Sequence, residues 1–389
     1  METGNRLDDV AAGVIRPLNQ AEAKLALSLL KEIGKTEPSV AELVKADGPL
    51  KAFFVAAFSL SPFLRDVASI RPKLLAGAID GQVEDALAAL VDAARDAWRP
   101  VDARIPSENE VMTALRSAKR AFGFLLALAD LARIFSARDT TRWLSEFAQA
   151  STAAAIDHLL LAAHESGKLR LVDPAEPSRG SGLIVLGMGK LGGRELNYSS
   201  DIDIVVFYDP DAGILADPLD ASETYGRMMR RLIRILQERT ADGYVFRTDL
   251  RLRPDPGSTP LAVSMDAALI YYEGRGQNWE RAAFIKARPV AGDIVAGEGF
   301  LKLLMENPVQ DGSLLQGLEL YLQRASEARF LNSLKLEKCG AWLGAEMPAR
   351  LQIRLSELAR SSQHPAYAAF KAGVTRSGGL ERAYPKAKI

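Results

Sequence analysis

The chain is almost without cysteine. Cys339 is the only one in 389 residues, so no internal disulfide can form and a reducing compartment is the expected setting. An excess of one charge is missing too. Lys plus Arg number 49 and Asp plus Glu number 49, which leaves none of the basic surplus that a generic nucleic-acid coat or membrane-surface binder uses. Long apolar runs are also lacking. Phe122–Leu131 is among the longest and holds Asp130 inside it, far short of the ~20 residues of a membrane span. The first residues, Met1-Glu-Thr-Gly-Asn-Arg-Leu-Asp-Asp, do not show the basic-then-apolar order of a secretion signal. These absences predict a cytoplasmic protein with neither membrane nor nucleic acid as partner. The remaining composition is 48% hydrophobic and 25% charged, which excludes a disordered chain, a collagen-like fibre and a small disulfide scaffold. The length suits roughly two or three domains.

Helical signals dominate the first 170 or so residues. Ala21–Ile33 sets Leu25, Leu27, Leu29, Leu30 and Ile33 along an amphipathic stripe before Gly34. Lys51–Leu60 ends at Ser61-Pro62, and Val83–Trp98 closes at Pro100. Ser107–Ser136 and Asp139–Lys168 follow, the latter with Asp139-Thr140 as its expected N-cap. Alanine is frequent and β-branched residues are sparse, which favours a helical bundle or array. The texture then changes. Val172–Gly182 is a Pro/Gly/Ser-rich linker. Leu183–Leu186 and Ile202–Tyr208 read as strands, Ser222–Arg239 as a helix, and Gly243–Leu252 as a third strand. Helix is expected again over Met265–Tyr272, over Trp279–Ala287 and beyond about Glu306.

Between the first two strands lies Gly187-Met188-Gly189-Lys190-Leu191-Gly192-Gly193-Arg194. Four glycines among seven residues let backbone amides approach an anion, with Lys190 and Arg194 adding positive charge. Asp201 and Asp203 stand at i and i+2 of the next strand, so both carboxylates are expected on one face while Ile202 and Ile204 enter the core. Paired carboxylates repel, and a hard cation such as Mg²⁺, with phosphate oxygens completing its shell, would relieve them. Asp249, in Arg247-Thr248-Asp249-Leu250-Arg251-Leu252-Arg253, is the expected third ligand. It would face the same way as Arg247, Arg251 and Arg253, which form a phosphate-binding rail.

Rival readings of these segments are weaker. Asp-x-Asp alone arises by chance in any acidic chain. Gly187, Gly189 and Gly192 match G-x-G-x-x-G, but Gly193 stands only eight positions before Asp201, which leaves no room for the helix of a dinucleotide fold. Lys190 is followed by Leu191, so the P-loop order is absent. Strand, Gly192-Gly193, Asp201-x-Asp203 and then Asp249 is the nucleotidyltransferase order. His158 and His164 do not share a helix face, His364 has no partner set, and Cys339 stands alone, so none of them is expected to carry chemistry.

Gly187–Asp203, Asp249–Pro254, Trp279-Glu280-Arg281 and Lys286–Asp293 resemble the signature of the bacterial glutamine synthetase adenylyltransferase / adenylyl-removing enzyme family. The resemblance runs from about residue 50 to about 305. It implies an α+β protein with a helical N-terminal region (1–172), a nucleotidyltransferase-like (polymerase-beta-like) mixed-sheet module (173–293) and a helical C-terminal extension (294–389). Ser59-Leu60-Ser61-Pro62-Phe63-Leu64 and Asn197-Tyr198-Ser199-Ser200-Asp201 resemble the adenylyl-removing half. One copy of the motif implies that the regulatory linker and the adenylylating domain are missing. The implied reaction is Mg²⁺-dependent phosphorolysis, in which inorganic phosphate removes AMP as ADP from a tyrosine of glutamine synthetase. Asp201, Asp203 and Asp249 would hold the metal. Gly192, Gly193, Lys190, Ser200, Arg251, Arg253, Arg281 and Lys286 would contact phosphate or nucleotide. The implied partners are glutamine synthetase and a PII-type nitrogen signalling protein. ATP-dependent adenylylation, or binding without turnover, are the alternatives. A nucleotidyltransferase acting on RNA ends is disfavoured by the absent basic surplus. After Gly292-Asp293 the family pattern fades, and Ser377–Lys386 reads as an unstructured end, as in a truncated or frame-altered product.

Overall fold

The computed structural model describes Leu7 and residues 15–276, 280 and 283–306. Among the described residues eight α-helices come first: α1 (Gln20–Ile33), α2 (Pro38–Lys45), α3 (Pro49–Leu60), α4 (Pro62–Ile70), α5 (Pro72–Asp80), α6 (Val83–Arg95), α7 (Glu108–Leu131) and α8 (Ala137–Glu165). Four of them, α2 to α5, open on proline, whose fixed φ and missing N–H suit a first helical position. Sequence periodicity foresees neither α2, α4 nor α5, because runs of eight or nine residues show little period. α7 begins with a capping box of Ser107 and Glu110, and α8 with one of Ser136 and Asp139. The cap of α8 is therefore Ser136, and the predicted Asp139 serves as its reciprocal partner three residues on. Among the described residues no single helix is long and apolar enough to cross a membrane.

The linker then leads into β1 (Leu183–Gly187), the one-turn α9 (Gly189–Gly192), β2 (Ile202–Tyr208), α10 (Ala221–Gln237), β3 (Thr248–Asp249), β4 (Ala262–Ser264), α11 (Met265–Gly274), β5 (Arg288–Gly292) and α12 (Ile294–Glu306). β1 pairs antiparallel with both β2 and β5. β2 takes β3 in parallel along its first residues and β4 in parallel along its last. The fold is mixed α+β. The antiparallel β1–β2 pair agrees with the exclusion of a dinucleotide fold, which needs a parallel crossover there. One expected strand differs. The third strand shrinks from Gly243–Leu252 to two residues, because the chain turns after Asp249. Within Trp279–Ala287, Glu280 and Ala283 are helical and Phe284–Lys286 is a short 3₁₀ turn leading into β5.

The chain divides into two compact units, one of residues 1–265 with 287–301 and one of 266–286 with 302–389. In the first, a single apolar core runs from Leu30 and Phe54 through Phe122 and Phe147 to Ile204 and Leu232, all fully buried. Phe147 of α8 stacks on Phe122 at 4.4 Å and reaches Phe246 at 6.3 Å, so helices and sheet share that core. Arg116 of α7, 1% exposed, ties them further. Its guanidinium donates to the carbonyls of Met112, Ile235, Glu238 and Gly243. Ile235 belongs to the last turn of α10 and Glu238 follows it, so a cation sits where unpaired carbonyls gather. In the second unit Tyr271 donates to Glu280 at 2.9 Å, and Tyr272 packs edge-on against Phe284 at 5.1 Å. The expected features at Trp279, Arg281, Cys339, His364 and the 307–389 tail lie outside the described residues.

Candidate functional site

The site grows from the end of β1. Met188 donates its amide to the Asp203 carbonyl at 2.8 Å, which folds the glycine turn back over β2. Gly189 takes φ +49°, and a Cβ there would stand 3.1 Å from Asp203 Oδ2. The turn is thus packed directly on a carboxylate, and a glycine is what permits the approach. α9 carries Lys190, whose Nζ donates to Ser200 Oγ at 3.3 Å. Ser200 Oγ in turn donates to Asn197 Oδ1 at 2.8 Å. The loop from Arg194 to Asp201 is held as a closed polar hairpin that delivers Asp201 to the start of β2.

Asp203 lies directly opposite Asp249 in the parallel register of β2 and β3. Asp201 sits one residue before β2 begins, so it is a strand-edge group and half-exposed. Burial raises the carboxyl of Asp203 above the ordinary range, and the charges of Asp249 and Asp201 add to the rise against Lys190 and Arg251. Asp249 is lowered, chiefly by hydrogen bonding from Arg251. Three carboxylates are therefore close enough to feel one another.

Arginines hold the outer two. Arg247 donates from Nε to Asp201 and from Nη2 to the Ser199 carbonyl, the latter at 2.8 Å. Arg251 grips Asp249 with Nη2 at 2.5 Å and Nε at 2.9 Å, and its amide adds a bond of 2.8 Å. The predicted rail of arginines on one strand face is not what forms. Arg247 turns to Asp201, Arg251 folds onto its own neighbour, and Arg253 donates to the carbonyls of Leu250, Pro256 and Thr259. The cause is the early end of β3: past Asp249 the chain is a turn, and alternation no longer applies. Lys286 lies in the second compact unit.

Among the described residues no three acidic, histidine or cysteine side chains stand close enough to share one ion. The donor set nevertheless suits a hard divalent cation, being all carboxylate oxygen. The competing arginines are weakly held, since the Arg251 side chain is 84% exposed and that of Arg247 is 51% exposed.

Several supporting residues give no motif signal of their own. Arg288 of β5 donates to the carbonyls of Gly192 at 3.2 Å and Leu191 at 3.4 Å, and to Gln149 of α8 at 2.7 Å. Ser145 of α8 accepts the Leu196 amide at 3.2 Å, and Asp130 of α7 accepts the Tyr198 hydroxyl at 3.3 Å. Gly192 and Gly193 thus close α9 beneath the Arg288 clamp. Arg288 falls inside a motif visible in the sequence, but Ser145, Gln149 and Asp130 are unremarkable helix residues until the fold brings them to the loop.

A family model described as glutamate-ammonia ligase adenylyltransferase matches residues 52–303. The chain belongs to that family. A bifunctional glutamine synthetase adenylyltransferase/adenylyl-removing enzyme of Agrobacterium fabrum (strain C58 / ATCC 33970) is 68% identical over 299 residues, covering 77% of this chain and 30% of that protein. Proteins of the same name from Rhizobium meliloti (strain 1021) and Brucella suis biovar 1 (strain 1330) are 60% identical over 300 residues and 49% over 289. They cover 77% and 74% of this chain and 30% and 29% of their own lengths. The chain spans less than a third of the curated relatives it matches. Within the glutamate-ammonia ligase adenylyltransferase match fall the glycine turn, all three carboxylates and the Arg288 clamp.

Proposed function

We propose that this chain is the adenylyl-removing nucleotidyltransferase module of its family, acting on an adenylylated tyrosine of glutamine synthetase. The observation that carries the reading is the register pair of Asp203 and Asp249 beneath a glycine turn. A polymerase-beta-like nucleotidyltransferase site is built in this way: one Asp-x-Asp strand, a third carboxylate on the neighbouring strand, and a glycine turn where phosphate arrives. Asp201, Asp203 and Asp249 would hold Mg²⁺, which when bound neutralises phosphate oxygens and offsets the mutual repulsion that raises Asp203. Arg251, released from Asp249, is placed to meet phosphate oxygens, and Lys190 beside Ser200 adds a second cation. Gly192 and Gly193 shape the turn that admits the nucleotide. Arg253 keeps the turn after Asp249 in place through its three carbonyl bonds. Arg281 and Lys286 are proposed as further phosphate or nucleotide contacts on the strength of the family motif.

In this reaction an oxygen of hydrogenphosphate attacks the phosphorus of the adenylyl-tyrosine. The phosphorus–tyrosyl oxygen bond breaks, the proton of the phosphate passes to the tyrosyl oxygen, and ADP departs. The nucleophile is already anionic at neutral pH, so positioning and charge neutralisation supply most of the catalysis. A PII-type protein is the proposed regulatory partner, and the cytoplasm the proposed compartment.

The experiment mixes the purified chain with adenylylated glutamine synthetase, Mg²⁺ and inorganic phosphate, and identifies the released nucleotide. ADP that requires both phosphate and metal, and that disappears in Asp203→Asn, is the expected result. ATP-dependent labelling of unmodified synthetase would instead assign the opposite direction. Wild-type turnover in Asp203→Asn would remove the carboxylate from its proposed role.

A further inference from the structure

The proposed reaction leaves one amine of the first compact unit without a task. Lys119 of α7 places Nζ 3.6 Å from the centre of the Phe246 ring and 5.6 Å from that of Phe147 of α8. Both rings belong to the apolar core, Phe147 fully buried and Phe246 5% exposed. A surface lysine ordinarily lays its stem on apolar groups and keeps the ammonium in water. Lys119 is half-buried, and its amine itself lies on the aromatic face. Among the described residues no carboxylate pairs with this amine and no oxygen accepts a hydrogen bond from it.

Two effects compete for the ammonium. The ring faces attract it by ~0.5–2 kcal/mol. Lost hydration disfavours it, and no neighbouring anion offsets that loss. Desolvation wins and lowers the amine to a pKa of about 7. At neutral pH roughly half of it carries a free lone pair, against about one in a few thousand for an ordinary lysine near 10.4. The surroundings also choose the product. Carbon dioxide would give a carbamate, an anion set against the negative faces of the rings. An acyl group gives a neutral amide, which removes the charge that burial penalises.

We propose that Lys119, seated on the Phe246 and Phe147 rings without an anionic partner, is a covalent modification site that takes an acyl group from a small acyl phosphate. The amine nitrogen attacks the carbonyl carbon, and the bond from that carbon to the phosphate oxygen breaks. Hydrogenphosphate departs with the bonding pair and the amine proton, leaving an amide on Lys119. The half-buried position of the side chain limits the donor to a small one. Phe246 directly precedes Arg247, whose guanidinium holds Asp201, so the modified amine stands behind the carboxylate site. The modification is independent of the proposed adenylyl-removing reaction and stands or falls separately from it.

The test incubates the full chain with acetyl phosphate at pH 7 and follows acetylation of each lysine over time by peptide mass spectrometry. Lys119 should react about tenfold faster than the exposed Lys24, Lys31 and Lys168, its far larger free-amine fraction being partly offset by lower basicity and by shelter. A parallel incubation in urea removes the rings from the amine, and there Lys119 should react at the rate of the other three. The same contrast between folded and unfolded chain should hold in Asp203→Asn, whose carboxylate site is altered. Acetylation of Lys119 no faster than that of the exposed lysines in the folded chain would overturn the proposal. So would an advantage that survives unchanged in urea, which would assign it to the neighbouring sequence and remove the rings from their role.

Discussion

Arg288 on β5 donates from Nε to the carbonyl of Gly192 at 3.2 Å, across 96 residues of sequence. The same guanidinium reaches Leu191 and Gln149, so one side chain joins the glycine turn to α8 and to the sheet. Burial lowers its pKa to about 10, which leaves it charged at pH 7.

Replacing this clamp separates positioning from chemistry. Arg288→Met leaves the Gly192 carbonyl and the Gln149 amide oxygen without this donor, while Leu191 keeps its bond from the Arg194 amide, and should cost roughly 2–3 kcal/mol of stability by the usual worth of charged hydrogen bonds. Thermal unfolding reads that loss. Turnover should fall further than stability alone explains, with Arg288→Lys recovering part of both. Equal turnover in the Met variant and the parent would show that the turn needs no clamp.

Gly189 tests how closely the turn must approach the Asp203 carboxylate, the proposed metal ligand. Gly189→Ala must hold φ +49° and place a methyl 3.1 Å from Asp203 Oδ2. The left-handed backbone alone costs ~1–2 kcal/mol. The expected phenotype is a folded protein with lowered melting temperature and weakened Mn²⁺ binding, measured by electron paramagnetic resonance. Unchanged Mn²⁺ affinity would place the cation elsewhere.

Asp157 gives a pH dependence. Burial pushes its carboxyl up to about 6, opposed by the hydrogen bond from Ser178 of the linker. The unfolded chain releases this proton near the ordinary carboxylate value of about 4. Between those limits the unfolded state binds fewer protons than the folded one, so stability falls as pH rises from about 4 to 6. Asp157→Asn removes that slope and should stabilise the protein above pH 6 by ~1–3 kcal/mol, at ~1.4 kcal/mol for each pH unit. Urea unfolding midpoints on either side of pH 6 check it. A variant that keeps the parental slope would assign the pH dependence to other groups.

Much of the site could be read without coordinates because its signals are local. Four glycines in seven residues, an Asp-x-Asp at the head of an apolar run and an acid-bearing Arg-rich segment lie in short stretches of chain. Their chemistry depends on spacing along the backbone. The long helices α1, α7 and α8 and the strands β1 and β2 were legible for the same reason, each having enough residues to show a period or a continuous apolar run.

What lay beyond the sequence depends on residues far apart in the chain. The early end of β3 turns Arg251 onto Asp249 and Arg253 onto backbone carbonyls, where alternation along a longer strand predicted a common face. β4 has three residues and β5 opens on Arg288-Pro289 and lacks the continuous apolar run of β1, so neither announces itself, and they pair with β2 and β1 in the fold. Arg116, Arg288, Ser145 and Asp130 look ordinary until packing places carbonyls, amides or a hydroxyl against them. Local composition decided which residues carry charge and which turns are possible. Tertiary packing decided which charges meet, because hydrogen bonds and burial depend on distance in space, and linear spacing does not encode that distance.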